Sequence, residues 1–66
     1  MGNLPKNLDP FISVGKAASL LGMSRSNIYK RIEERRIAGA YRIDGSIRFK
    51  LSELQRWIQI HAERLC

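Results

Sequence analysis

Hydrophobic and polar residues change their period along this chain, and each change marks an element. From Val14 the apolar positions recur at helical spacing: Val14, Ala17, Ala18 and Leu21 fall on one face at about 100° per residue, while Gly15, Lys16 and Ser19 point away. The pattern predicts a helix over 14–21 with Ser13 as its N-cap. Gly22 ends it, because glycine takes the left-handed conformation at a helix end without penalty. Ser24 then caps a second helix, predicted over 25–36, in which Ile28 and Ile32 share one side and Arg25 and Arg35 lie at its margins. Met23 and Ile28 have the spacing of a hydrophobic staple around that cap. The opposite side carries Ser26, Asn27, Lys30, Glu33 and Glu34, with Tyr29 on the flank.

After Gly39 the period shortens to two. The segment AYRIDGSIRFK predicts a hairpin over 40–49 around Asp44-Gly45, a strong turn signal. Two registers compete. A two-residue turn pairs Ile43 with Ser46 and sets Ile47 opposite Arg42, mixing the faces. A three-residue loop pairs Ile43 with Ile47 and Tyr41 with Phe49, gathering four apolar groups on one side and Arg42 with Arg48 on the other. A one-residue slip moves every side chain to the other face, so burial favours the second register. Ser52-Glu53-Leu54-Gln55 then reads as a capping box opening a third helix over 53–63. Leu54, Trp57, Ile58, His61 and Leu65 fall within one stripe, and Glu53 and Glu63 balance Arg56 and Arg64, so this helix, with no net charge, reads as structural, with Trp57 in the core and His61 partly buried.

Residues 1–10, rich in Asn, Pro and Gly, resist regular structure and are expected to form a flexible tail. Residues 11–66 form one domain, with Phe11 and Ile12 anchoring its start beneath the first helix. A chain of 66 residues buries only about 60% of its unfolded surface, so its core is thin. The expected fold class is mainly α with a small β-hairpin.

The positive charge is concentrated in the middle of the chain. Of the net charge of +6, residues 25–36 supply +3 and residues 40–50 supply +2. Two short helices joined by a Gly-containing turn form a helix-turn-helix, whose second helix can enter a DNA major groove. A packed helical corner with no ligand is the alternative. A solvated corner needs no such charge bias, whereas a phosphate-binding surface does. Two arginines on one wing face repel unless an anion compensates, which fits a hairpin lying along a DNA backbone or minor groove. An enzyme is the poorest fit: the chain has one His and one terminal Cys, Cys66, with no carboxylate cluster and no metal-spaced ligands. No catalytic residue, metal or cofactor is expected. There is no apolar leader and no run of eighteen apolar residues, so a cytoplasmic location without membrane contact is expected.

The order of helix, Gly22-Met23-Ser24 turn, helix, Asp-Gly hairpin and helix resembles the excisionase-type, MerR-like winged helix-turn-helix family. The resemblance rests on Ser13-Val14, Ala17-Ala18, Leu20 through Ser26, Ile28-Tyr29, Ile43-Asp44-Gly45, Arg48-Phe49, Ser52, Leu54 and Trp57, and covers about three quarters of the chain. It implies a second helix in the major groove and a wing on the adjacent minor groove or backbone. By position it implies DNA contact by Arg25, Ser26, Asn27, Tyr29 and Lys30, and by Arg48 in the wing. From their charge and placement, Arg31, Arg35, Arg36 and Arg42 join this set as phosphate contacts.

The chain departs from the family pattern in four places. Lys16 stands where Glu is common, so the first helix lacks a capping box. Asn27 replaces a common Thr and can read an adenine edge bidentately. Arg35 occupies a place often held by Gly. Ser46 sits where a wing Arg is common, leaving that role to Arg42 and Arg48.

The function implied is that of a phage or mobile-element excisionase. Such a protein binds and bends attachment-site DNA, favours excision by a tyrosine integrase, and loads cooperatively as several copies. A small transcriptional regulator of the same fold uses the same surface. A basic protein-interaction module is the alternative from another class.

Overall fold

The structure, a computed structural model, describes residues 10–66. The expected tail therefore lies outside the described residues except at Pro10, whose carbonyl accepts a hydrogen bond from the Leu51 amide at 3.0 Å. The elements run β1 (Phe11–Ser13), α1 (Val14–Leu21), α2 (Arg25–Glu33), β2 (Ala40–Ile43), β3 (Ser46–Lys50) and α3 (Leu51–His61). This is a mainly helical fold with a small sheet, a winged helix-turn-helix.

Capping sets the first two helices. Ser13 Oγ accepts from the Lys16 amide at 3.0 Å and Ser24 Oγ from the Asn27 amide at 3.1 Å, each satisfying a donor that the first helical turn leaves open. Both helices end alike. The Met23 amide donates to the Ala18 carbonyl and the Gly22 amide to that of Ser19; one helix later, the Arg36 amide donates to Arg31 and the Arg35 amide to Ile32. Gly22 stands at the left-handed position of the first closure, and Arg35, with φ 57°, at that of the second. The second helix was expected to run to residue 36, but it stops at Glu33 because Arg35 adopts the conformation usually left to glycine. Arg35 and Arg36 consequently belong to a loop.

The sheet has three strands in the order β1-β3-β2, both pairs antiparallel. β1 went unforeseen as a strand; Ile12 pairs with Phe49 and turns inward, while Phe11 pairs with Lys50 and faces out. In the hairpin Ala40 opposes Phe49, Tyr41 opposes Arg48, Arg42 opposes Ile47 and Ile43 opposes Ser46. The two-residue register is therefore the one adopted, against expectation. Asp44 and Gly45 have φ 51° and 83°, the two positive values of a turn whose twist matches its strands. The favoured register would have turned Tyr41 and Ile43 inward with Phe49. Instead the small Ala40 faces Phe49, and Tyr41 and Ile43 stay 41% and 42% exposed.

α3 begins directly from β3, and this too differs from the expected start at residue 53. Lys50 is the N-cap residue, without a side-chain capping bond, and the Leu51 amide is satisfied from outside by Pro10. Ser52 thus lies within the first turn instead of capping it. The helix ends at His61, short of 63, so Leu65 lies outside it and His61 is exposed, not partly buried. The core consists of Val14, Ala17, Ala18, Ile28, Phe49 and Leu54, with Ile12, Met23, Ile32, Trp57 and Ile58 half-buried around it. It locks α1, α2, the sheet and α3 together, so the outward face of α2 is held by the whole domain.

Candidate nucleic-acid interface

The outward face of α2 follows from its inward one. Ile28 is fully buried and Ile32 half-buried, and helical geometry then turns Ser26, Asn27, Lys30, Glu33 and Glu34 to solvent, all of them exposed. Tyr29 is 49% exposed on one flank. Ser24 caps the helix with its hydroxyl, leaving an amide-rich, positively polarised end beside Arg25.

Three arginines of α2 and its exit are held in particular ways. Arg25 lies across the start of α1, where its Nε sits 3.0 Å from the position a Cβ would take on Gly15. Lys16, in that same turn of α1, is exposed. Arg31 Nε donates to Asn27 Oδ1 at 3.3 Å. Arg36 pairs with Glu34 at 3.5 Å, both exposed, so the pair contributes little to stability. Arg31, Arg35 and Arg36 together border a cleft of about 540 Å³ that reaches across to α3.

In the wing Arg42 and Arg48 do not share a face, contrary to the expected register. Arg48 sits opposite Tyr41 on the outer face, its guanidinium donating to the Ile47 carbonyl at 3.1 Å. Arg42 sits opposite Ile47 on the inner face, exposed near the turn. Their mutual repulsion is thereby avoided, and the wing presents a cation on each side. On the outer face Phe11 and Tyr41 meet edge to face, with ring centroids 5.6 Å apart. The Tyr41 hydroxyl donates to Glu53 Oε2 at 2.7 Å, and Lys50 Nζ stands 3.9 Å from the same oxygen.

A family model described as a helix-turn-helix domain matches residues 11–60. The chain belongs to the helix-turn-helix domain family. No curated protein and no solved structure matches it significantly. Helix-turn-helix domains are non-catalytic DNA-binding modules, in line with the expectation that this chain is no enzyme. Among the described residues there is no group of three or more side chains suited to hold a metal, and no helix is long and apolar enough to cross a membrane.

Within this helix-turn-helix domain, the sequence-derived candidates divide into three sets. Arg25, Ser26, Asn27, Tyr29 and Lys30 lie on or beside the outward face of α2. Arg31, Arg35 and Arg36 border the cleft, and Arg42 and Arg48 flank the wing. Sequence reasoning omitted Lys16, because a single lysine on the polar side of a helix carries no signal until Arg25 is seen beside its turn. It also omitted the cleft, which depends on the backbone turning at Arg35.

Proposed function

We propose that this protein is a DNA-binding accessory of the excisionase type. α2 enters the major groove, with Ser26 and Asn27 toward base edges and Tyr29 on the groove wall. Lys16, Arg25 and Lys30 neutralise phosphates beside it, and Arg42 and Arg48 hold the neighbouring backbone or minor groove from the two sides of the wing. The observation that carries this reading is the outward face of α2: wholly polar, exposed, capped at its N-terminus and flanked by cations. The excisionase assignment rests on the motif resemblance, which continues past the helix pair through the wing to Trp57.

One small domain has few contacts, so tight occupancy calls for several copies bound side by side along the DNA, and for a tyrosine integrase as partner. The test is a recombination assay with the integrase and paired attachment sites from the same genome. Stimulated excision with suppressed integration is the expected result. Unchanged recombination alongside specific promoter binding would assign the protein to transcriptional regulation.

A further inference from the structure

Arg31, Arg35 and Arg36 border the cleft between the end of α2 and α3, and Ile37, Ala38, Trp57 and His61 complete its lining. The Trp57 and His61 rings stack with centroids 4.9 Å apart at 25°, and His61 Nδ1–H donates to the Trp57 carbonyl at 3.1 Å. The two rings thus stand as one wall. A second cleft of about 310 Å³ borders the same two rings, and its lining includes Arg56, Ile60 and Glu53, whose carboxylate is already held by the Tyr41 hydroxyl and Lys50. Ile60 is 68% exposed. Among the described residues, Arg36 alone of the three rim arginines has a carboxylate partner.

We propose that this ridge docks an acidic, apolar-anchored segment of a partner protein. Its carboxylates meet Arg31, Arg35 and Arg36, and its apolar side chain lies against Trp57 and Ile60. Charge complementarity selects an acidic occupant. The apolar ridge selects a polypeptide over nucleic acid, because a sugar–phosphate backbone offers charge but little apolar surface to bury, whereas a leucine or phenylalanine side chain removes its own surface and that of the ridge from water. Tryptophan and arginine are also the residue types that most often dominate binding energy at protein interfaces. The inference goes beyond the DNA reading: the outward residues Ser26, Asn27 and Lys30 do not line either cleft.

The test titrates the isotope-labelled full chain, followed by NMR, with a capped peptide in which Asp and Glu flank Leu and Phe. A second peptide carries Lys in place of the acids. The acidic peptide is expected to move the Trp57 indole N–H and the Nε–H signals of Arg31, Arg35 and Arg36, while the lysine peptide leaves them in place. Arg35→Glu is expected to weaken binding about tenfold or more, and Ile60→Ser about fivefold. Ile60 is exposed, so its replacement leaves the fold intact, and the spectrum itself reports this. Equal response to both peptides, or none at about 1 mM, overturns the proposal. Duplex DNA that moves the same signals and displaces the peptide also overturns it, assigning the cleft to the phosphate backbone. Absence of any DNA binding defeats the DNA reading alone and leaves this test untouched.

Discussion

Arg31 holds the Asn27 amide in one orientation, and that orientation bears on which base α2 reads. A guanidinium only donates, so the 3.3 Å bond fixes Asn27 Oδ1 toward Arg31 and turns the Asn27 NH₂ outward. Reading adenine bidentately requires donor and acceptor side by side, whereas N7 and O6 of guanine accept only. Asn27 Oδ1 keeps a second lone pair beside the outward NH₂, so Arg31 orients the amide for the adenine reading expected from sequence. Arg31→Met removes the restraint and is predicted to weaken the preference for adenine at the base facing Asn27 by about tenfold, measured on duplexes varied one base pair at a time. Arg35 carries a second prediction at this scale. At φ 57° its Cβ is strained, and Arg35→Gly should raise stability by about 1 kcal/mol in urea denaturation. Duplex affinity should stay within about twofold of the parent, since Arg35 borders the cleft and not the outward face.

At the scale of elements, the loop before β2 packs closely against α3 at Gly39. Gly39 has φ 93°, and a Cβ there would lie 3.0 Å from the Leu54 amide nitrogen and 3.2 Å from Glu53 Cβ, while the Gly39 carbonyl accepts from the Lys50 amide at 2.8 Å. Gly39→Ala is predicted to cost about 2 kcal/mol, read as a lower urea midpoint with an unchanged slope. α1 and the start of α2 were legible in the sequence because Ser13, Gly22 and Ser24 are residues whose local chemistry dictates where a helix starts or stops. The other boundaries were settled by contacts distant in sequence or by strain. Leu51 starts α3 two residues early because Pro10 supplies its acceptor, overriding the capping pattern at Ser52. Arg35 ends α2 in a conformation no arginine advertises. Three residues of β1 are too few to show a period. In the hairpin the two signals conflicted, and the twist of the Asp44-Gly45 turn prevailed over collecting every apolar side chain on one face. For the candidate site, residue types and net charge were readable in sequence, but the division of Arg42 from Arg48 and of α2's outward face from the cleft was not.

For the molecule as a whole, five of the six net positive charges fall within residues 25–50, and the core keeps α2 and the wing on one rigid body. A thin core suffices for that task, since positioning a polar helix requires rigidity and no enclosed cavity. On the function proposed above, this body binds duplex DNA through phosphate contacts around α2 and the wing. The measurement that tests it most directly is fluorescence anisotropy on attachment-site and random duplexes across a salt series. About five neutralised phosphates predict a slope near −4.5 in log affinity against log salt, a loss of about 500-fold between 50 and 200 mM. Binding should be tighter and sigmoidal on the attachment site. A flat salt response, or no binding at 50 mM, would contradict the account.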